Sequence, residues 1–130
     1  MMPILMLKNG IKVANFSSPH SFTFDDGTVL ESCNETRSAE LLLNKTTSLV
    51  ERIKDVVDLV HVGFEINDKM IEAIHEADKE AQERGIDIVI VPLPVRTVIR
   101  ENNIEVNSVF ATIVMTDRVK KICSSVQFGV

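Results

Sequence analysis

Residues 88–100 read "IVIVPLPVRTVIR", and the fold turns on how this stretch is divided. Residues 86–91, "IDIVIV", form an apolar run too short for a helix and fit a strand covered on both faces. Two prolines then break it, and "VRTVIREN" (95–102) reads as a short helix. Where a strand hands over to a helix, the leading amides of the helix lack partners and its dipole is positive, so the corner favours an anion. Pro94 suits such a start because it donates no amide and its φ is already set. Arg96 and Arg100 lie four residues apart and share a helix face, with the Thr97 hydroxyl beside them. Two guanidiniums on one face form a clamp for phosphate or pyrophosphate. The same residues also fit a plain corner whose arginines are solvated or paired with Glu101 and Glu105.

Downstream, "VFATIVM" (109–115) reads as another strand, followed by "TDRVKK" (116–121). Asp117 fits either a turn cap or an acceptor for a ribose hydroxyl. Arg118 fits either a solvated basic patch or a contact to a phosphate or base. If these two strands are parallel neighbours, their ends share one sheet edge, where ligands of α/β sheets commonly sit, and Arg96 and Arg118 come together.

Upstream, "NDKMIEAIHEADKEAQERG" (67–85) is a long amphipathic helix. Asn67 is placed to cap it, Met70, Ile71, Ile74, Ala77 and Ala81 form its apolar stripe, and Gly85 suits the left-handed residue that closes a helix. Residues 49–66, "LVERIKDVVDLVHVGFEI", are ambiguous. The first half fits helical spacing, while Val60, Val62, Phe64 and Ile66 alternate as a strand from Leu59 onward. A short helical turn is expected from Asn34 to Asn44.

At the N-terminal end, Asn9-Gly10 between apolar β-formers predicts a hairpin on a type I′ turn. Asp26-Gly27 inside "SFTFDDGTVLES" (21–32) predicts a second hairpin or a tight β-turn, with Phe22 and Phe24 on one face. Between them "NFSSPH" (15–20) crowds Asn15, Ser17, Ser18 and His20 into a loop stiffened by Pro19. It is either a polar turn or a ligand-contacting loop. The reading is therefore one α+β domain over residues 1–130, with a mixed or antiparallel sheet, N-terminal hairpins, one long helix and one short one.

Composition narrows the function. Lys and Arg total 14 against 19 Asp and Glu, a net charge of -5, which disfavours a broad basic face for a nucleic-acid polymer. No window is long and apolar enough for a membrane span and no signal peptide is legible, so a cytoplasmic protein is expected. The two cysteines, Cys33 and Cys123, have no paired spacing and suggest neither disulfides nor a zinc site. No HExxH, GxxxxGK or GxGxxG motif is present, and Ser, His and Cys lack the partners of a nucleophilic triad. No catalytic residue, metal or cofactor is expected. Exposed hairpin edges and a Phe-rich N-terminal half point to a homo-oligomer, a dimer or higher.

The order "FTFDDGTVLESC" (22–33), a helix, "VIVPLPVRTVI" (89–99) and a closing "TDRVKKICSSVQFGV" (116–130) resembles small phage and prophage proteins, and among them one of the Thoeris anti-defence families. Members of that family are sponges for cyclic ADP-ribose-type signals made by bacterial TIR-domain enzymes. The resemblance implies a non-catalytic oligomer that buries a cyclic nucleotide at its subunit interfaces and so blocks antiviral defence. It implies that Arg96 and Arg118 take phosphates, that Phe110 or Phe16 stacks on the base, and that Asp117 binds ribose. The chain departs from the pattern in having neither Trp nor Tyr, so stacking falls to a Phe. Two other classes stay open: a protein-protein inhibitor or scaffold using the acidic residues Glu72, Asp78, Glu80 and Glu83, and a small nucleotide hydrolase.

Overall fold

The computed structural model describes residues 2–33, 44–65 and 68–130. In chain order their elements are β1 (Ile4–Met6), β2 (Lys12–Asn15), β3 (Phe22–Phe24), β4 (Val29–Leu30), β5 (Asn44–Ile53), β6 (Val57–Glu65), α1 (Asp68–Arg84), β7 (Ile88–Ile90), α2 (Leu93–Glu101), β8 (Val109–Asp117) and β9 (Ile122–Gly129). The expected helical turn after Asn34 lies, through residue 43, outside the described residues, as does the Asn67 cap.

The chain is α+β, built on one mixed sheet of order β1-β2-β7-β8-β9-β3-β4. Its centre is parallel: Val13 pairs with Ile88 and Ile88 with Val109, while Asn15 pairs with Ile90 and Ile90 with Ala111. Parallel neighbours need a long crossover, and α2 supplies it between β7 and β8. The flanking pairs β1/β2, β8/β9 and β3/β4 are antiparallel, and β3 joins β9 in parallel.

Alternation along the central strands sorts side chains into two cores. Ala14, Val89 and Phe110 face the helices, packing with Met70, Ile74, Ala77, Ala81, Val95, Val98 and Ile99. Val13 and Ile90 face the other way, into a cluster with Leu7, Phe24, Leu30 and Cys123. That second core is enclosed because the sheet curls until Cα atoms of β4 come within 8 Å of both β1 and β2. The shape approaches a barrel with both helices on its outside.

Two turns close the curl, and the one at Asn9-Gly10, expected as type I′, shares a different geometry with the one at Asp26-Gly27. Gly10 sits at φ 89° and Gly27 at φ 87°, while the residues before them keep negative φ. In each turn the glycine amide donates to the carbonyl three residues back, Gly10 to Leu7 and Gly27 to Phe24, and the next pair of bonds skips one residue (Leu7 to Ile11, Phe24 to Thr28). This is a three-residue loop with glycine in a bulge, which tolerates any residue before the glycine. The two turns are tied together: the Lys8 amide donates to Asp26 Oδ2 at 3.0 Å. Asn9 Nδ2 donates to the Ser125 carbonyl at 2.9 Å, and the Ser125 amide donates to Asp25 Oδ1 at 3.1 Å.

Helix α1 buries Met70, Ala73, Ile74, Ala77, Asp78 and Ala81. Asp78 corrects the expected acidic surface: its two carboxylate oxygens accept from the Asn107 and Ser108 amides at 2.9 and 2.8 Å. Those bonds hold the segment that leads into β8. Glu80 is also engaged, accepting from Arg84 Nη1 at 2.9 Å and from the Met2 amide at 3.2 Å. Of the four acids named for a partner surface, Glu72 and Glu83 remain exposed. Gly85, at φ 65°, closes the helix as its sequence position suggests, and the Ile86 amide reaches back to the Ala81 carbonyl at 2.9 Å.

Strands β5 and β6 form a separate two-stranded hairpin. The residues that fitted helical spacing, from Leu49 to Ile53, are strand. Lys54 and Asp55 take the turn at φ 53° and 58°, with the Val56 amide bonded to the Ile53 carbonyl. This type I′ turn therefore carries no glycine. Among the described residues no helix is long and apolar enough to cross a membrane.

Candidate functional site

The strand-to-helix corner forms where the sequence places it. β7 ends at Ile90, Pro92 turns the chain at φ -63° and ψ 151°, and α2 begins at Leu93 with Pro94 in its first turn. No side chain caps this end, and the first main-chain bond of the helix is Arg96 to the Pro92 carbonyl at 3.1 Å. The amides of Leu93 and Val95 thus stand at a positive helix end without a capping acceptor.

Arg96 is the residue that singles out this corner. Its Nε is buried and has no hydrogen-bond partner. Among the described residues neither Arg96 nor Arg100 is in an ion pair, so the pairing with Glu101 or Glu105 that would explain them blandly does not form. Val95, Val98 and Ile99 face the core, which leaves Arg96 and Thr97 half-buried and Arg100 exposed. Leu93 is 65% exposed, an apolar side chain held at the mouth of the corner.

Beside it lies the exit of β2. The Phe16 amide donates to the Ile90 carbonyl at 3.0 Å, so the chain from Phe16 to Ser18 leaves the sheet next to Val91 and Pro92. Ser17 there is a buried non-glycine residue at φ 66°, a conformation that costs about 1 kcal/mol and persists only where surroundings enforce it. Asn15 does the enforcing. Its Nδ2 donates to the carbonyls of Ser18, His20 and Glu31 at 3.2, 3.2 and 2.9 Å, and its Oδ1 accepts from the Ser18 amide at 3.1 Å. Asn15 was expected to reach a ligand. Its amide is instead spent on the loop, and it acts on the corner by shaping Ser17 and Ser18.

Two further expectations are corrected. Phe16 and Phe110, named for base stacking, are 0% and 3% exposed and pack edge-to-face on each other with centroids 6.4 Å apart. They are core residues, and no ring face is open to a base. The parallel pairing of β7 and β8 holds, but it does not bring Arg96 to Arg118. Ile90 pairs with Ala111, and β8 runs on to Asp117, which carries Arg118 roughly 20 Å further along the strand direction. Asp117 caps the β8–β9 turn, Oδ1 accepting from the Val119 and Lys120 amides at 3.0 Å each. Arg118 is exposed at that tip with Lys120 and Lys121, and among the described residues it has no ion pair.

Chemistry elsewhere is quiet. Burial pushes the Cys123 thiol up and the Asp25 charge adds to the effect, so Cys123 is a poor nucleophile. Burial also raises Asp26, but the Thr28 hydroxyl, the Lys8 and Thr28 amides and the Lys8 charge together hold it below the usual carboxylate value. Among the described residues no three His, Cys, Asp or Glu side chains gather as a metal site. A thiol reagent is expected to label Cys33 and Cys123, both buried, only as fast as the protein unfolds. Rapid native labelling of either one would contradict the packing described here.

No family model, curated protein or solved structure matches the chain.

Proposed function

We propose that this protein is a phage-type, non-catalytic sponge that binds a phosphate-bearing cyclic nucleotide, of the cyclic ADP-ribose or cyclic oligonucleotide class, and withholds it from antiviral signalling. The observation that carries the reading is the buried Arg96 Nε without a partner at the uncapped start of α2. An unmade buried donor costs about 1–3 kcal/mol. A phosphate oxygen seated there removes that cost, accepts from the free amides, and gains the charge of Arg100 one turn on. Leu93 offers apolar surface beside the site, a role no buried phenylalanine can take.

The protein acts as a homo-oligomer in this reading. Within one chain Arg96 and Arg118 are apart, and a ligand held between two copies lets Arg118 of the second copy take another phosphate. Nothing in the corner is arranged as a nucleophile with a base, so the ligand is expected to leave unchanged. The test is to load the purified protein with a panel of cyclic nucleotides, measure binding, then heat the complex and chromatograph what is released. Tight binding with intact recovery is the expected result. A cleaved nucleotide would make the protein a hydrolase, and no binding to any member would favour a protein-protein inhibitor instead.

A further inference from the structure

Among the described residues, the β5–β6 hairpin is left uncovered by the rest of the fold. Neither strand pairs with the seven-stranded sheet, and residues 48–61 are exposed throughout. Exposed polar strands need no explanation, but these are not polar. Leu49, Val50, Ile53, Val56, Val57, Leu59 and Val60 are between 42% and 82% exposed.

They also lie on both faces. Ile53 pairs with Val57 and Glu51 with Leu59 on one face, while Arg52 pairs with Asp58 and Leu49 with Val60 on the other. A lone two-stranded hairpin is marginal in water, and one apolar on both faces is a surface awaiting a cover.

We infer that the cover is a second copy of this chain, and that the β5–β6 hairpin is the arm through which the protein assembles. The inference rests on the oligomeric reading above and names the surface responsible for it. Area is the first support. A buried aliphatic side chain removes roughly 100 Å² from water, so seven that are about half exposed leave on the order of 400 Å² of apolar surface. Apolar area is about 60% of an interface, so a contact that encloses both faces of the arm reaches roughly 650 Å² per partner, against ~800 Å² in a stable complex, and one that covers a single face about half of that.

Charge is the second support. In a two-fold contact the patch meets itself, so it must tolerate its own sign. The arm carries Glu51, Asp55 and Asp58 against Arg52 and Lys54, and Arg52 Nε already holds Asp58 Oδ1 at 2.7 Å. On a chain of net charge -5 the arm is near-neutral, so its own charges add little repulsion to a contact between two copies. The outer edges of β5 and β6, unpaired among the described residues, add backbone groups that a partner's strand can satisfy.

The experiment is sedimentation equilibrium of the wild type and of the double variant Val57→Glu, Leu59→Lys, with hydrogen exchange of the wild type at high and low protein concentration. The expected result is an oligomeric wild type, a variant at the monomer mass of 14.5 kDa with an unchanged circular-dichroism spectrum and a melting temperature that no longer depends on protein concentration, and hairpin amides whose protection falls on dilution. A wild type that is itself monomeric overturns the oligomeric reading and this inference together. An oligomeric variant, or hairpin protection independent of concentration, overturns the arm alone. The exchange measurement needs no substitution, so a misfolded variant leaves the inference testable.

Discussion

Phe110→Ala is expected to destabilise the protein by about 3–5 kcal/mol, lowering its melting temperature by roughly 10–20 °C for a chain of this size. The ring is 3% exposed and meets Phe16 at an interplanar angle of 74°. It shares its core with Val89, Val98 and Ile99, from β7 and α2. Truncation therefore opens a cavity at the junction of sheet and helix, and an edge-to-face pair worth about 0.5–1.5 kcal/mol is lost as well. Phe16→Ala should behave alike. Thermal or urea denaturation measures both. A base-stacking role predicts the opposite pattern, unchanged stability with lost affinity, and that outcome would move these rings out of the core.

The second large effect belongs to Asn15. Asn15→Ala removes one side chain and strands four buried or half-buried main-chain groups: the carbonyls of Ser18, His20 and Glu31 and the amide of Ser18. Each costs about 1–3 kcal/mol when left unmade and fully buried. Water reaches His20 and Glu31, which are exposed, so the expected loss is about 3 kcal/mol rather than the full sum. The loop should also relax, because Ser17 holds φ 66° only while that clamp persists. Denaturation reads the first effect. Exchange rates of the amides from Ser17 to Ser21 read the second, and an Asn15→Ala protein as stable and as protected as the wild type would show that the clamp contributes nothing.

These two residues show where sequence reading stops. The short apolar run "IDIVIV" placed a strand with both faces covered, and Gly85 marked the end of α1, because those signals depend on local residue pattern and φ alone. The corner at Pro92–Arg96 was legible for the same reason. What residue type does not reveal is who shares a polar group. Asn15 and Asp78 read as ligand-facing or surface residues, and both are internal clamps whose partners lie 16 and 30 residues away. Phe16 and Phe110 look like candidates for a base because a phenylalanine carries no mark of burial by itself. Arg96 and Arg118 were expected together because parallel pairing was foreseen, whereas the length of β8 beyond that pairing was not.

The measurement that bears most directly on the central claim is calorimetric titration of the cyclic-nucleotide panel into wild-type protein, Arg96→Ala and Arg118→Ala. A charge-assisted bond to phosphate contributes roughly 1.5–3 kcal/mol, so each variant is expected to bind about tenfold to a hundredfold more weakly, with ligand-free Arg118→Ala melting like the wild type and ligand-free Arg96→Ala, relieved of an unmade buried donor, melting no lower. An Arg96→Ala protein that binds the same ligand with wild-type affinity would contradict the account, because the buried Arg96 Nε at the start of α2 would then have no phosphate to meet.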